Sequence, residues 1–266
     1  MKKILALVLA MTMVFSAAAL AEGTLRVGME CDYAPFNWTQ TEESETAVAL
    51  PDGTWADGYD VQIAMKIAEG LGMELEVVKI AWEGLPMAVM SGKIDAIIAG
   101  MSATEERKVT LDFTDNYYES DLVIVVRADG AYTEAASLSD FAGARLTAQL
   151  GTFHYDVLPQ VEGALIQTAM ESFPTMITAL EAGAIDGYVS ERPGAVSAVA
   201  SNPELTFVEF AEGQGFTASL DDTAVAVALQ KGSPLVDKIN EILATITPEQ
   251  REELMQWAVD NQPLAE

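Results

Sequence analysis

The sequence predicts an α/β fold of two similar lobes, each built on a mostly parallel sheet. Short β-rich segments alternate with helical patterns along the chain, and half of its 266 residues are hydrophobic. The segment Met87–Asp95 resembles Ile177–Asp186 when their Gly-x-Ile-Asp elements are aligned, 91 residues apart. Each copy combines an apolar helix, a glycine that ends it and a short strand, which favours two lobes. The alternative is that Gly-x-Ile-Asp is simply common between a helix and a strand.

The predicted elements follow one another in strand–helix order. Asp60 is the predicted N-cap of the first helix, and the polar stretch Thr39–Asp57 is predicted to form a hairpin or surface loop. Several helices have proline in the first turn, where its missing N–H costs nothing. Strands are predicted at Leu25–Glu30, Glu74–Ile80, Ile94–Gly100, Asp121–Arg127, Arg145–Leu150, Ala164–Ala169, Ile185–Ser190, Leu205–Phe210 and Thr223–Gln230. Helices are predicted at Val61–Leu71, Leu85–Ser91, Pro174–Ala182, Pro193–Ser201, Pro234–Thr245 and Pro248–Val259.

Residues 1–21 have the pattern of a cleavable signal peptide. Two lysines precede an apolar run over Ile4–Leu20, which ends at Ala19-Leu20-Ala21, small residues at the positions that signal peptidase recognises. A transmembrane anchor is the alternative, but the run is short for crossing a bilayer. We therefore expect cleavage after Ala21 and a periplasmic or secreted protein. Glu22 stands where a lipoprotein would need cysteine.

Composition and charge exclude several classes of function. The chain has 14 basic and 41 acidic residues and a net charge of −27, which becomes −29 without the two lysines of residues 1–21. Nucleic-acid backbones repel such a chain. Its single cysteine, Cys31, and single histidine, His154, exclude a disulfide framework and a Cys/His zinc cluster. We expect no metal, cofactor or nucleic-acid partner, and we interpret His154 as a surface or pocket polar residue.

The repeat predicts where a ligand binds. Ligands of open α/β sheets lie beyond the carboxyl ends of the strands, and aligning the two copies makes Gly100 equivalent to Glu191. If the lobes face each other, these two strand ends line one cleft. The segment Gly100–Arg107 adds backbone N–H groups, hydroxyls and a guanidinium suited to a carboxylate. The alternative for Arg107 is an exposed ion pair with its neighbouring glutamates.

Six segments together give the most specific signal in the sequence. They are LRVGMECDYAPF, ADGYDVQIAMKIAEGLG, WEGLPMAVMSGKIDAIIAGMSATEERK, DFTDNYYESDLVIVV, SLSDFAGARLTAQLGTFHYD and AVAVALQKGSP. In this order they resemble the extracytoplasmic solute-binding proteins, family 3 type, that deliver amino acids to ABC importers, over about Leu25 to Trp257. The resemblance implies the periplasmic binding protein type II fold, in which two Rossmann-like lobes are joined by a two-stranded hinge. It also implies an ABC transporter permease as the partner.

The resemblance assigns roles to residues on both sides of the predicted cleft. It implies that Arg107 clamps the ligand α-carboxylate, with Ser102 beside it and Thr152 as a donor from the second lobe. The carbonyl of Gly100 would accept from the α-ammonium. Glu191 would be the counter-ion of the ammonium, where the family usually has aspartate. The extra methylene of glutamate would hold the ammonium deeper or bridge it differently.

The resemblance also implies which residues contact the ligand side chain. Tyr33 and Trp82 match aromatic walls, although core packing is the commoner role of such residues. Glu30 and Gln149 match positions that contact the far end, and Phe153 replaces a small residue and narrows the pocket. Because Glu30 is a carboxylate at a strand end and the chain is acidic, we expect lysine or arginine as the ligand. Because Gln149 could pair with an amide, a neutral ligand such as glutamine stays an alternative.

We expect the lobes to divide the chain unequally. The first lobe would contain residues 24–118 and 223–266, and the second residues 119–222. The hinge crossings would lie near Tyr118–Asp121 and Leu220–Thr223. A zwitterion that bridges the lobes would then couple binding to closure.

Two other functions remain open from the sequence, beside a monomeric binding protein without catalysis. A dehydratase on the same scaffold would use Glu191 as a general acid. A sensor module would bind the same ligand and signal, but we expect no fused signalling domain because the sequence ends at Glu266.

Overall fold

The computed structural model describes residues 23–263, so the predicted signal peptide and its cleavage after Ala21 lie outside the described residues. None of the described helices is long and apolar enough to cross a membrane. The strands are β1 (Thr24–Met29), β2 (Trp38–Gln40), β3 (Val48–Ala49), β4 (Trp55–Asp57), β5 (Glu74–Lys79), β6 (Ala96–Ile97), β7 (Leu111–Glu119), β8 (Leu122–Arg127), β9 (Arg145–Thr147), β10 (Leu165–Ile166), β11 (Gly187–Glu191), β12 (Leu205–Val208) and β13 (Ala224–Gln230). The helices are α1 (Tyr59–Leu71), α2 (Leu85–Met90), α3 (Glu105–Lys108), α4 (Phe153–Asp156), α5 (Phe173–Glu181), α6 (Arg192–Ser201), α7 (Leu220–Thr223), α8 (Val236–Leu243) and α9 (Pro248–Asn261).

Two five-stranded sheets form the centres of the two lobes, so the two-lobe α/β prediction is confirmed. The sheet of the first lobe has the order β5-β1-β6-β13-β7, and that of the second lobe β10-β9-β11-β8-β12. In each order the first three strands are parallel and the last two are antiparallel to their neighbours. The prediction of mostly parallel sheets is therefore wrong for half of the strand pairs. The reason is the hinge, because a strand that leaves for the other lobe and one that returns must run in opposite directions.

The chain passes between the sheets twice. It leaves the first sheet at the end of β7, at Glu119, and enters β8 at Leu122. It leaves the second sheet at the end of β12, at Val208, and returns through β13 from Ala224. The leaving strand and the returning strand pair with each other in the first sheet. The lobe boundaries at residues 118 and 223 stay predictions.

The internal repeat has the same geometry in both lobes. Nε and Nη2 of Arg26 in β1 donate to the two carboxylate oxygens of Asp95 at 2.9 and 2.7 Å. Nε and Nη2 of Arg145 in β9 donate to those of Asp186 at 3.0 and 2.6 Å. In each lobe Nη1 also donates to the carbonyl two residues before the aspartate. The Gly-x-Ile-Asp element thus fixes the same turn to the same strand position in each lobe.

Gly58, and not Asp60, occupies the N-cap position of α1. Its φ of 125° lies in the region that favours glycine, and a Cβ there would lie 2.5 Å from the carbonyl oxygen of Phe36. Asp60 is fully buried and accepts hydrogen bonds from Asn37 Nδ2 and the Tyr117 hydroxyl, both at 2.7 Å. The N-cap prediction is wrong because this carboxyl turns into the core. Burial raises the pKa of Asp60 to about 7, against the effect of these two hydrogen bonds.

Several strands differ from the prediction in presence or length. The hairpin prediction for Thr39–Asp57 is confirmed, as a small sheet in the order β2-β4-β3. Strand β7 was not predicted, and β6 is much shorter than the predicted Ile94–Gly100. After Ile97 the chain leaves the sheet and turns at Gly100, whose φ is 60°. This early exit carries the backbone of Gly100 into the space between the lobes.

Candidate functional site

Eight of the nine predicted ligand-binding residues line one cleft between the lobes. The ninth, Glu30, is buried beside it and contacts Gln149. Phe153, His154 and Phe173 complete the lining. The eight are Tyr33, Trp82, Gly100, Ser102 and Arg107 from the first lobe, and Gln149, Thr152 and Glu191 from the second.

Arg107 places a cation in the cleft from the first lobe. Its Nη1 donates to the carbonyl oxygen of Ser102 at 2.9 Å, which fixes the turn before α3. Its Nη2 crosses to the second lobe and donates to the carbonyl oxygen of Gly151 at 3.0 Å. The guanidinium carbon lies 5.1 Å from the ring centre of Trp82, a cation–π distance. Both lobes therefore meet at this guanidinium.

The guanidinium of Arg107 keeps its charge at neutral pH. Enclosure by the cleft lowers its pKa to about 10, while the carboxylates of Asp156 and Glu106 act in the opposite direction. Within residues 23–263 Arg107 forms no ion pair, and Glu105 pairs instead with Lys108 at 3.0 Å. The alternative of an exposed ion pair with the neighbouring glutamates is therefore wrong. The side chain is held by carbonyl oxygens, and a ligand carboxylate can replace these with a stronger, charged acceptor.

Glu191 places an anion in the cleft from the second lobe. It ends β11, is only 3% exposed, and its Oε1 lies 2.9 Å from Nε2 of His154. Its other carboxylate oxygen accepts a hydrogen bond from the Tyr33 hydroxyl of the first lobe. Burial alone would raise the pKa of Glu191, but the charge and hydrogen bond of His154 and the bond from Tyr33 hold it below its usual value. Glu191 is therefore a carboxylate at neutral pH.

Glu30 and Gln149 pair with each other across the cleft. Nε2 of Gln149 lies 3.0 and 3.3 Å from the two carboxylate oxygens of Glu30, and 3.0 Å from the carbonyl oxygen of Glu171. Burial raises the pKa of Glu30 to about 7, the bond from Gln149 opposes this, and the nearby Asp32 adds to it. Near neutral pH Glu30 can thus be either a carboxylate acceptor or a protonated donor.

Three aromatic side chains surround these polar groups. Tyr33 stacks on Phe173 of the second lobe, with ring centres 4.1 Å apart and planes at 13°, and on Phe36 at 5.0 Å. Trp82 lies under Arg107 and its Nε1 is 3.3 Å from the carbonyl oxygen of Gly151. Phe173 was not predicted, although the repeat could have found it. It lies ten residues before Gly183, as Trp82 lies ten residues before the first Gly-x-Ile-Asp glycine.

His154 is the second cleft residue that the predicted set lacks. The sequence interpretation allowed a surface or a pocket position, and the structure places it in the cleft, 7% exposed. It follows Thr152 and Phe153, and the Thr152 hydroxyl donates to the Gln149 carbonyl oxygen at 2.7 Å. No residue count or spacing could show that the single histidine meets Glu191, 37 residues away in the sequence.

The lobes are in contact across the cleft. Besides the contacts of Arg107 and Glu191, the Glu30–Gln149 pair and the Tyr33–Phe173 stack join them. The free space between these side chains is about 10 Å³, no more than one water molecule needs. An amino acid can therefore enter only when the lobes separate.

A second cavity of about 260 Å³ also lies between the lobes and shares Phe173 with the cleft. Its charged lining residues, Asp32 and Lys79, both belong to the first lobe, and the second lobe contributes only neutral side chains such as Ile177 and Ala198. It is larger than the cleft, but it lacks opposite charges on opposite lobes. The cleft between Arg107 and Glu191 is therefore the candidate site for a zwitterion.

Comparison with known proteins identifies the family. The sequence profile of the bacterial extracellular solute-binding proteins, family 3, matches residues 25–257. A probable histidine-binding protein of Campylobacter jejuni is 31% identical over 74% of this chain and 72% of its own length. The arginine-binding extracellular protein ArtP of Bacillus subtilis is 27% identical over 91% of this chain and 92% of its own. An amino acid ABC transporter substrate-binding protein of Streptococcus pneumoniae, bound to L-arginine, superposes with a TM-score of 0.76 at 28% identity, over 90% of this chain and 94% of its own. The chain belongs to the bacterial extracellular solute-binding proteins, family 3, as its six resembling segments predicted.

Proposed function

We propose that this protein binds a free cationic amino acid, arginine or lysine, between its lobes and delivers it to the permease of an ABC transporter. The observation that carries the proposal is the pair of opposite charges in one cleft, with Arg107 from the first lobe and Glu191 from the second. An amino acid zwitterion carries both charges a few ångströms apart. Removing them from water without partners costs several kcal/mol, about 2–7 for a merely polar group and more for a charge.

The α-groups of the ligand would replace contacts that the protein makes with itself. The carboxylate would take the guanidinium donors of Arg107, with Ser102 and Thr152 beside it. The ammonium would donate to Glu191 and to the carbonyl oxygen of Gly100. Support comes from the position of all five residues around the same cleft.

Glu30 and Gln149 would contact the end of the ligand side chain. Both are buried, so a ligand guanidinium or ammonium would form charge-assisted hydrogen bonds with the Glu30 carboxylate, about 1.5–3 kcal/mol. The aromatic faces of Tyr33 and Trp82 suit an alkyl stem and a cation. Relatives named for arginine and histidine binding support a cationic ligand.

A neutral amide such as glutamine is the second candidate ligand. One observation favours it: the pKa of Glu30, raised to about 7 by burial, lets this group stay protonated near neutral pH. A protonated Glu30 and the amide of Gln149 can together donate to and accept from a ligand amide.

Closure of the two lobes would be part of binding. We propose that residues 24–118 and 223–266 move as one lobe and residues 119–222 as the other, about the two crossings. The contacts across the cleft leave no room for an amino acid, which supports an opening motion. Small-angle scattering should show a smaller radius of gyration with saturating L-arginine than without it. An unchanged radius would contradict ligand-driven closure.

We further propose that the protein is a monomer without catalytic activity that works outside the cytoplasm. The family consists of extracellular solute-binding proteins, and residues 1–21 have the pattern of a signal peptide. The dehydratase considered from the sequence would use Glu191 as its general acid, whereas the interactions with His154 and Tyr33 lower the pKa of Glu191 and keep it ionised. Turnover of prephenate by the purified protein would contradict this part of the proposal.

Calorimetry with the twenty amino acids tests the ligand class. Arginine or lysine should bind most tightly, and Glu30→Gln should weaken both relative to glutamine. Glu74→Gln, an exposed glutamate of β5, is the matched control and should change nothing. Tighter binding of glutamine by the unaltered protein would favour the second candidate, and binding of no amino acid would overturn the function.

A further inference from the structure

We infer that His154 is a positioning residue for Glu191, and that an amino acid whose α-ammonium binds at Glu191 drives a proton off His154. The inference rests on the proposed function, because it concerns the ammonium end of the same site. It goes further in two ways: it adds His154 to Glu191 and the Gly100 carbonyl at the ammonium end, and it couples ligand binding to proton release.

The Glu191 carboxylate is held by one donor on each of its oxygens. His154 Nε2 lies 2.9 Å from Oε1, and the Tyr33 hydroxyl donates to the other oxygen. A glutamate has one more rotatable bond than an aspartate, and fixing it costs side-chain entropy. With one donor on each oxygen, the longer side chain has a single orientation towards the cleft. His154 therefore restricts the orientation of this carboxylate, which in a shorter side chain would be restricted by the length alone.

His154 and a ligand ammonium would compete for the one negative charge of Glu191. Within the part of the chain that the structure describes, Glu191 is the only carboxylate within ion-pair distance of His154. A ligand ammonium at Glu191 would stand beside the imidazole and take over that charge. Two cations at one buried carboxylate repel each other, so the neutral form of His154 is favoured when the ligand is bound.

The second ring nitrogen of His154 also favours the neutral form. Nδ1 of His154 is buried and has no hydrogen-bond partner among residues 23–263. In the charged imidazole this atom carries an N–H without an acceptor, whereas in the neutral ring that donates from Nε2 it is a free acceptor. The Phe173 ring, whose centre lies 6.3 Å from that of the imidazole, is nearly perpendicular to it and offers no polar partner.

The other charged groups around the site act on His154 in both directions. Arg107 lines the same cleft and adds positive charge, which also disfavours a charged His154. Asp156 lies on the same short helix and interacts with Arg107, and Asp60 interacts with Glu191 from the first lobe. Glu30 titrates as well, so any test must separate its protons from those of His154. Because binding releases a proton, ligand affinity falls as the pH falls through the range in which His154 becomes charged.

The first test uses nuclear magnetic resonance, because His154 is the only histidine of the chain and its ring signals need no assignment. Above its titration midpoint, the free protein should show the neutral ring with the proton on Nε2, the nitrogen that faces Glu191. With saturating L-arginine, and separately with L-glutamine, the titration midpoint of the ring should move to lower pH by about one unit, a tenfold change in proton affinity. An unchanged midpoint in the presence of either bound ligand would overturn the inference.

The second test measures affinity by calorimetry at pH 5.5 and 7.5 in the Glu30→Gln background, which removes the titration of Glu30. Glu30→Gln should bind L-glutamine about tenfold more weakly at pH 5.5. Glu30→Gln with His154→Gln should show no such loss, because the amide keeps a donor but cannot titrate. His154→Leu should bind more weakly than His154→Gln at pH 7.5, since it leaves Glu191 without that donor. The same pH dependence in Glu30→Gln and in Glu30→Gln with His154→Gln would overturn this inference but not the proposed function. Failure of the unaltered protein to bind either amino acid would overturn the proposed function.

Discussion

In the first lobe Arg26 holds Asp95 through Nε and Nη2, and in the second lobe Arg145 holds Asp186 through the same two donors. The scaffold is thus repeated down to individual hydrogen bonds. The side chains at the strand ends are not repeated. Gly100 in the first lobe corresponds to Glu191 in the second, when the Gly-x-Ile-Asp elements are aligned.

The positions that correspond in the two lobes meet each other in the cleft. Glu30 and Gln149 each lie four residues after the repeated arginine, and they form a hydrogen bond. The first lobe contributes the cation, Arg107, and the second lobe contributes the anion, Glu191. The comparison teaches that the repeat supplies two facing sets of strand ends, and that different side chains on them make the site complementary to a ligand with two opposite charges.

The largest expected effect comes from removing the cation of the first lobe. Arg107→Ala should weaken binding of L-arginine by about 2–5 kcal/mol, roughly 30-fold to 5,000-fold, because a buried charge partner is lost. The measurement is calorimetry, with circular dichroism to show that the variant is folded.

Arg127→Ala is the matched control for this variant. Arg127 is an exposed arginine of β8, paired with Asp129, and its loss should leave the affinity within about twofold. An Arg107→Ala variant that binds within a few-fold of the unaltered protein would show that the division of charge between the lobes is not what holds the ligand.

Much of the difference between the lobes was visible in the sequence. Glu191 follows from the repeat, which places it at a strand end, and Arg107 follows from the motif that continues from the matching strand end into α3. His154 lacked such a signal, because a lone histidine has no pattern of its own, and Phe173 had only a weak one, its place in the repeat. Their roles depend on which side chains the other lobe brings to them, and this is a property of the closed cleft.

A smaller effect should come from Glu30, which has no charged counterpart in the second lobe. Its pKa is raised to about 7 by burial, and a ligand cation favours the ionised form, so binding of arginine releases a proton. Affinity for arginine should therefore rise with pH. The ratio of arginine to glutamine affinity should grow about tenfold between pH 6 and 8, because the ionised fraction of Glu30 does so.

Arginine and glutamine have the same α-groups, so the contributions of these groups and of His154 cancel in the ratio. In Glu30→Gln it should stay constant over the same pH range, and in the control Glu74→Gln it should grow as before. A ratio that is constant in the unaltered protein would show that Glu30 does not face the ligand side chain.

The smallest effect concerns the repeated scaffold. Burial tends to raise the pKa of Asp95, but hydrogen bonds from Arg26 hold it below its usual value, and the bond from Arg145 lowers that of Asp186 against burial. Both pairs therefore contribute to stability above the pKa of an unfolded aspartate and lose this contribution as the pH falls through the lower folded-state pKa. Asp95→Asn and Asp186→Asn should each lower the free energy of unfolding by about 1 kcal/mol near neutral pH.

Urea denaturation at pH 7 and at acid pH measures this. The two variants should differ little from each other, and Asp129→Asn, which removes a more exposed pair, should cost less than either. A large loss in one lobe only would show that the repeated hydrogen bonds do not have a repeated role.

In the fold, as in the site, the features that the sequence did not show are those that depend on contacts between distant residues. The first helix was predicted at Val61–Leu71 and lies at Tyr59–Leu71, yet its N-cap was misassigned because Asp60 has the side chain of an N-cap but lies inside the helix. Its carboxyl is bonded by Asn37 and Tyr117, from distant parts of the chain. Strand β7 was missed because Asp112, Asp115, Asn116 and Glu119, which disfavour strands, interrupt its aromatic residues and threonine. It is stabilised by pairing with β13, more than a hundred residues later.

The central claim is that the two lobes hold the two charges of one zwitterion, with Arg107 on the carboxylate. Calorimetry with L-arginine and with agmatine, which is arginine without its α-carboxylate, tests this in the unaltered protein and in Arg107→Ala. The unaltered protein should bind agmatine at least about 30-fold more weakly than arginine, and Arg107→Ala should distinguish the two by no more than a few-fold, because the partner of the carboxylate is gone. An equal preference for arginine in both proteins would contradict the account.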